Sequence, residues 1–177
     1  MKITDYAHLL IKEHLKSDSF AIDATCGNGH DTLFLAKLVP NGKVLAYDIQ
    51  EKAINKTKEL CQDYTNITYN LASFTTIYPK NCDLVLFNLG YLPNGDKTIT
   101  TKCDDTLEAF KNLVSSFDDN PHLLLICCIY PGHLEGLKES QALDCFCQNL
   151  DAKAYLVMKI KPFNQTNAPY ILTIQKK

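Results

Sequence analysis

The feature of the sequence that most restricts the fold is an alternation of short apolar runs with longer segments whose apolar residues follow helical spacing. Short runs between turn residues indicate buried strands, and apolar positions at i, i+3 and i+4 indicate amphipathic helices. The predicted helices cover residues 3–16, a segment through Leu33, Ala36 and Leu38, and residues 51–63, 104–117 and about 134–150. The predicted strands are Phe20 to Thr25, Val44 to Tyr47, Ile67 to Tyr69, Asp83 to Leu89, His122 to Tyr130, Ala154 to Ile160 and Tyr170 to Gln175.

This alternation predicts an α/β fold with a mostly parallel sheet that is covered by helices on both faces. The last two strands have no helical pattern between them, only the turn-rich stretch Pro162 to Pro169. They are therefore expected to pair antiparallel. The sequence contains no internal repeat, low-complexity tract or linker, so we expect residues 1–177 to form a single domain.

The composition is that of an ordinary soluble globular protein, with 46% hydrophobic and 21% charged residues. The longest apolar run, Leu123 to Tyr130, is too short to cross a bilayer. The first residues mix charged and apolar positions as an amphipathic helix does, which differs from a secretion signal. We therefore expect a cytoplasmic protein without a membrane partner.

Eight cysteines form no C-x-x-C pair, and with five scattered histidines they give no zinc spacing. We expect reduced, mostly buried thiols and no bound metal. The formal net charge is −2, and all 18 basic residues are lysines. This balance neither supports nor excludes a nucleic-acid partner. If the substrate is RNA, lysines, backbone N–H groups and hydroxyls must meet its phosphates without arginine.

The most informative segment joins the first predicted strand to the next helix and reads Asp-Ala-Thr-Cys-Gly-Asn-Gly-His-Asp-Thr over residues 23–32. Gly27 and Gly29 can adopt positive φ and let a ligand lie against bare backbone. Asp23 adds a carboxylate at the strand end. Asp48 closes the second strand 19 residues after Gly29, where it can accept hydrogen bonds from both hydroxyls of a ribose.

Dinucleotide-binding loops share these glycines and the distant acid, so a nicotinamide cofactor stays an alternative, as does a tight turn without a ligand. Two features favour S-adenosylmethionine (SAM). Thr32 replaces the third glycine of G-x-G-x-x-G. Asp23 would face the ligand, which is unfavourable near a pyrophosphate but favourable near the positively charged methionine end of SAM.

A second signature, over residues 83–93, ends a buried strand in Asn-Leu-Gly-Tyr-Leu-Pro. It resembles the N-P-P-Y-type loop of amino-group methyltransferases, in which an Asn holds the attacking nitrogen and an aromatic ring stacks on the base. Asn88 and Tyr91 are the corresponding residues. The alternatives are a strand-end capping residue for Asn88 and an ordinary surface aromatic for Tyr91.

Together, residues 23–36, 48–50, 87–97, 130–133 and 163–165 resemble a small bacterial family labelled "putative rRNA methylases" in the same order along nearly the whole chain. The resemblance implies a Rossmann-like class I methyltransferase with a seven-stranded, mostly parallel sheet and an antiparallel last strand. It also implies methylation of the aminomethyl group of 5-aminomethyl-2-thiouridine at tRNA position 34, with the anticodon stem-loop as partner.

The resemblance implies a cofactor site in which Asn28, Asp31 and Thr32 surround the methionine moiety. Asp48 and Gln50, with Ile49 between them, would hold the ribose and adenine, and Ser73 would lie by the adenine. The family's usual Ser-His pair is Ser73-Phe74 here, and Cys26 stands where a small residue is usual. The full expected cofactor set is Asp23, Gly27, Asn28, Gly29, Asp31, Thr32, Asp48, Ile49, Gln50, Ser73 and Asn88.

A primary amine must be unprotonated to attack a methyl group. The candidates to orient it or relay its proton are Asn88, Tyr91, Asp96, Lys97, Tyr130 and His133. His133 has a suitable ordinary pKa, but it could equally begin the next helix. Thr98, Thr100, Thr101 and Lys102 form either a substrate loop or a merely solvated one. Methylating an exocyclic amine needs no cysteine nucleophile.

Three alternatives to the tRNA function stay open at the level of sequence: an rRNA acceptor, a small-molecule acceptor, and a noncatalytic SAM-binding partner subunit. The near-neutral charge mildly favours a small acceptor. The oligomeric state is also open, a homodimer included.

Overall fold

The computed structural model describes residues 2–89 and 102–177. Within these ranges helices and strands alternate as the sequence predicts, and most bounds agree to within two residues. The helices are α1 (Ile3–His14), α2 (His30–Leu38), α3 (Glu51–Leu60), α4 (Cys103–Ser115) and α5 (Leu134–Gln148). The strands are β1 (Phe20–Asp23), β2 (Lys43–Asp48), β3 (Ile67–Leu71), β4 (Leu84–Asn88), β5 (Leu124–Ile129), β6 (Tyr155–Ile160) and β7 (Tyr170–Lys176).

The strands form one seven-stranded sheet in the order β3-β2-β1-β4-β5-β7-β6. The first five strands run parallel to one another, with Asp23 of β1 opposite both Ala46 and Leu86. Strand β7 lies between β5 and β6 and is antiparallel to both. The predicted mostly parallel sheet with an antiparallel last strand is therefore confirmed.

The two faces of the sheet are covered by different helices, as the period of two along a buried strand requires. On β4, Leu84 and Leu86 belong to the apolar cluster that contains residues of α1 and α2. Val85 and Phe87, the alternate residues, belong to the cluster that contains residues of α4 and α5. Burial on both faces explains why β4 and β5 read as continuous apolar runs rather than alternating ones.

The sheet order reverses direction between β1 and β4, since the chain first builds outwards to β3 and then crosses over to β4. In open α/β sheets ligands bind outside the carboxyl ends of the strands at such a point. The residues at those ends here are Asp23, Asp48 and Asn88. The topology thus brings both sequence signatures to one edge of the sheet.

Burial of the cysteines agrees with the sequence prediction, because all except Cys103 and Cys145 are buried. In the part of the chain that the structure describes, no helix is both long and apolar enough to reach across a bilayer.

Candidate active site

A cavity of about 830 Å³ opens at the carboxyl edge of the sheet, next to the switch between β1 and β4. Its size lies within the range of small-molecule and cofactor sites, roughly 300–1,000 Å³. The residues predicted from the sequence that line it are Gly27, Asn28, Asp31, Asp48, Ile49, Gln50, Ser73, Asn88, Tyr130 and His133. Most of the two predicted residue sets therefore lie around one cavity.

The loop after β1 has the backbone that its glycines predict. Gly27 has a φ of 53° and Gly29 a φ of 86°, both in the left-handed region. Gly29 precedes the first residue of α2, and a Cβ there would lie only 2.9 Å from the Cα of Thr57 on α3. Gly29 thus allows close packing of the loop on α3 and does not line the cavity, whereas Gly27 does.

Asp48 ties the ends of β1 and β2 together. Its carboxylate accepts the backbone N–H of Gly27 at 3.0 Å and that of Gln50 at 2.9 Å. Burial raises the pKa of Asp48, and these backbone hydrogen bonds act in the opposite direction. A carboxylate has about four lone-pair sites, so Asp48 can still accept hydrogen bonds from a ligand in the cavity.

Asp23 does not face the cavity, so the prediction that it faces the ligand is wrong. The residue is fully buried, does not line the cavity, and accepts a 2.6 Å hydrogen bond from the hydroxyl of Thr32, which is also fully buried. The first turn of α2 covers the side chain of Asp23, which therefore stabilises the loop from the side away from the cavity. Burial, and next the nearby Asp31, raise the pKa of Asp23 to about 7.

Asn88 is held at both its backbone and its side chain. Its N–H donates to the hydroxyl of Thr25 at 2.8 Å, and that hydroxyl lies 3.3 Å from the Asn88 carbonyl oxygen. Its side-chain Nδ2 donates to Asp31 at 3.0 Å. The other oxygen of Asp31 lies 2.7 Å from Nε2 of His8 on α1. The sequence gives no sign of His8 at the site, because no local pattern in α1 indicates a contact 23 residues away.

Two further candidates follow β5. Tyr130 lines the cavity, and burial raises the pKa of its phenol, so it stays protonated at neutral pH and can donate a hydrogen bond. His133 both lines the cavity and caps α5, because its Nδ1 accepts the N–H of Gly136 at 3.1 Å. With Nδ1 used as an acceptor, the neutral ring carries its proton on Nε2. His133 therefore begins α5, as the sequence allowed, and its role in proton relay stays a prediction.

Ser73, expected by the adenine, and Asn28, expected by the methionine moiety, both line the cavity. Ser73 starts a short 3₁₀ turn, Phe74–Thr76, and accepts the N–H of Thr75. Asn28 accepts a 3.2 Å hydrogen bond from Lys56.

Tyr91, Asp96 and Lys97, with Thr98, Thr100 and Thr101, lie outside the described residues. The lining also includes residues outside both predicted sets: Ala24, Thr25, Cys26, His30, Ala72, Phe74, Leu89, Lys102, Asp105, Gly132, Asn167 and Pro169.

The charges that line the cavity are mostly negative in the described part of the chain. Asp31, Asp48 and Asp105 contribute carboxylates, and Lys102 contributes one ammonium group. This balance favours a ligand that carries positive charge over one that carries a pyrophosphate. Among residues 2–89 and 102–177, no group of three or more His, Cys, Asp or Glu side chains could hold a metal ion.

Comparison with known proteins agrees with this chemistry. Residues 44–176 match the model of the family described as "Putative rRNA methylase". This chain belongs to that family. A protein from Clostridium thermocellum, described as a "putative rRNA-methylase", has a crystal structure that superposes with a TM-score of 0.91. The two chains are 32% identical, and the match covers 100% of this chain and 98% of the other.

Two further relatives bear on the cofactor and the chemistry. A "putative methyltransferase" from Streptococcus mutans, solved in complex with S-adenosylhomocysteine (SAH), is 31% identical with a TM-score of 0.86, over 100% of this chain and 99% of that one. The chloroplastic tRNA (mnm(5)s(2)U34)-methyltransferase of Arabidopsis thaliana is 32% identical over 99% of this chain and 70% of its own length. The chain described here is therefore a SAM-dependent methyltransferase.

The residues present fit that cofactor. Gly27 leaves bare backbone at the cavity wall, Asp48 presents a carboxylate at the end of β2, and the mostly acidic lining suits the positive charge of a sulfonium. Cys26 is buried, and burial together with the nearby Asp23 raises the pKa of its thiol. It therefore stays protonated and is no nucleophile.

Proposed function

We propose that this enzyme methylates the exocyclic aminomethyl group of 5-aminomethyl-2-thiouridine at position 34 of tRNA. The observation that carries the proposal is the 32% identity to the Arabidopsis tRNA (mnm(5)s(2)U34)-methyltransferase over 99% of this chain. The product would be the 5-methylaminomethyl nucleoside. The coarser function, methyl transfer to RNA, is supported as well by the family to which the chain belongs.

In this proposal Asp48 and Gln50 hold the ribose and adenine of the cofactor, and the backbone at Gly27 leaves room for its methionine end. Asp31, at the first turn of α2, offers a carboxylate to the positive charge there. When bound, SAM supplies an electrophilic methyl group on a sulfonium sulfur. The chain's own part in catalysis is to place an unprotonated amine in line with that methyl group, which can lower the barrier by several kcal/mol.

Asn88 is the residue that orients the amine in this proposal. Its side-chain Nδ2 is taken up by Asp31, so its carbonyl Oδ1 is the group available to accept an N–H of the acceptor amine. That hydrogen bond would turn the nitrogen lone pair towards the methyl group. Tyr130, as a protonated phenol, can donate to a base oxygen or to water. The proton that the amine releases after transfer passes to solvent through the open cavity.

RNA contacts outside the cavity are expected at the loop between β6 and β7. Phe163 in this loop is fully exposed, with a relative accessibility of 105%. Asn167 and Pro169 of the same loop line the cavity. Single-stranded RNA is commonly recognised by stacking of unpaired bases on exposed aromatic side chains. We therefore assign Phe163 to a base that flanks the modified nucleotide.

The test is methyl transfer from tritiated SAM by the purified chain. The acceptors are an anticodon stem-loop with 5-aminomethyl-2-thiouridine, the same stem-loop with unmodified uridine, total rRNA, and a small-amine mixture. We expect label only in the first acceptor, in a nucleoside whose mass matches the methylaminomethyl form. Label in rRNA or in the amines alone would overturn the wobble assignment, and so would the absence of transfer to the modified stem-loop.

A further inference from the structure

Three side chains from three different elements form one hydrogen-bonded chain at the cavity wall. Nε2 of His8 on α1 lies 2.7 Å from Oδ1 of Asp31, and Oδ2 of Asp31 accepts Nδ2 of Asn88 at 3.0 Å. The His8 side chain is 26% exposed and that of Asp31 14% exposed. Asp31 and Asn88 line the cavity, whereas His8 does not. His8 therefore contacts the site only through Asp31.

The imidazole of His8 is held in a fixed orientation. Its ring stacks on the ring of Phe34, with centroids 3.8 Å apart and planes 5° from parallel. Phe34 lies three residues after Asp31, on the same side of α2. On α1 the neighbouring Ala7 and Ile11 are buried in the core at about 1% exposure or less, which anchors the helix that carries His8. Packing thus fixes the position of Nε2 of His8, the donor to Asp31.

The chemistry of these groups determines which way the Asn88 amide points. A carboxylate only accepts hydrogen bonds, so the NH₂ group of Asn88 must face Asp31 and its carbonyl must face away. The backbone of Asn88 is fixed independently by the hydroxyl of Thr25. The Asp31 carboxylate could still rotate about its own axis. The hydrogen bond from Nε2 of His8 to its other oxygen prevents this rotation.

We propose that His8 is a positioning residue for methyl transfer, which through Asp31 holds the Asn88 carbonyl towards the acceptor nitrogen. The proposal rests on the proposed function, in that Asn88 is taken to receive the acceptor amine. His8 is no catalytic residue in this account, because it touches neither cofactor nor acceptor. A purely structural role, joining α1 to α2, would affect stability without affecting turnover.

Two substitutions separate hydrogen bonding from packing. His8→Phe keeps a ring to stack on Phe34 and loses the donor, whereas His8→Gln loses the ring and keeps an N–H donor near the position of Nε2. His14→Phe is the matched control, since His14 is also on α1 and its Nε2 binds the backbone oxygens of Asp83 and His122, at 2.9 and 3.0 Å. All variants are checked for folding by circular dichroism and Tm. If His8→Phe does not fold, His8→Met replaces it.

Steady-state kinetics with SAM and the modified stem-loop give the decisive readout. We expect His8→Phe to lower kcat roughly tenfold to a hundredfold, because a misplacement of about 1 Å in an active site can have that effect. KM for SAM should stay within about threefold, and His8→Gln should restore kcat to within about threefold of wild type on the same positional reasoning. His14→Phe should lower Tm and leave kcat near wild type.

Coupling to Asn88 completes the test. If His8 acts through Asn88, then His8→Phe should have little further effect on kcat in an Asn88→Ala background. The proposal is overturned if His8→Phe keeps the kcat of His14→Phe, or if His8→Gln is as slow as His8→Phe. It is also overturned if His8→Phe affects only SAM binding, or if the kcat losses of His8→Phe and Asn88→Ala multiply in the double variant. The series uses whichever acceptor the wild-type chain methylates, so a wrong tRNA assignment would show first in the wild type.

Discussion

The backbone N–H of Gly27 donates to the carboxylate of Asp48 at 3.0 Å, which joins the loop after β1 to the end of β2. The two residues are 21 positions apart and come from the two strand ends that form one wall of the cavity. The same carboxylate binds the N–H of Gln50, so one side chain fixes the backbone on both sides of the expected ribose position. Cofactor affinity should therefore depend strongly on Asp48.

Replacing Asp48 with Ala should weaken SAM binding by more than tenfold. The reason is that a hydrogen bond to a charged group contributes about 1.5–3 kcal/mol, and Asp48 is expected to accept from the ribose. Isothermal titration calorimetry measures the effect, with Asp63→Ala as the control, since Asp63 is exposed and does not line this cavity. Unchanged affinity in Asp48→Ala would refute the ribose assignment.

Asn88→Ala should lower kcat with little change in SAM affinity. Loss of the carbonyl that orients the amine removes positioning that matters only in the reacting complex, so we expect a fall of about tenfold to a hundredfold. Steady-state kinetics with the modified stem-loop measures kcat, and calorimetry with SAM measures the affinity for the cofactor. A large loss of affinity with normal turnover would show that Asn88 serves the cofactor instead.

Asp23 should make stability depend on pH. Burial raises its pKa from 3.8 to about 7, so the folded chain binds this proton more tightly than the unfolded chain. The stability that this proton contributes is present at low pH and is lost as the pH rises from 3.8 to about 7. Asp23→Asn does not titrate, so its Tm relative to wild type should increase across this window. A difference in Tm that is constant with pH, measured by calorimetry without cofactor, would contradict the shift.

Phe163→Ala should raise KM for the stem-loop and leave SAM affinity unchanged. Stacking of a base on an aromatic ring contributes about 1–3 kcal/mol, so the expected rise is roughly fivefold to 150-fold. Tyr78→Ala is the control. Tyr78 is also exposed, at 76%, but it adjoins Pro79, whose carbonyl binds Asn120 ahead of β5, at the opposite edge of the sheet. Equal KM values for both variants would remove Phe163 from the RNA surface.

Local patterns were sufficient to predict the sheet and the backbone of the loop after β1. The positive φ angles of Gly27 and Gly29 follow from the residue type, and the antiparallel β7 follows from the absence of a helix between residues 160 and 170. The cavity-lining position of Asp48 follows from its place at the end of a parallel strand. In each case a short-range rule determines the outcome.

Side-chain direction and long-range partners could not be predicted in the same way. Whether Asp23 faces the cavity or the first turn of α2 depends on how Thr32 packs over β1, which spacing alone does not determine. His8 joins the site through a stack on Phe34 and a bond to Asp31, both set by how α1 docks on the sheet. Lys102 and Asp105, on either side of the start of α4, reach the cavity by the same kind of tertiary placement.

Mass spectrometry of tRNA nucleosides from a strain that lacks the gene tests the wobble-uridine substrate directly. We predict that 5-aminomethyl-2-thiouridine accumulates and that its methylaminomethyl form disappears. The wild-type gene should restore the methylated form, whereas Asn88→Ala should restore it poorly. An unchanged nucleoside profile in the deletion strain would contradict the assignment of this nucleoside as the substrate.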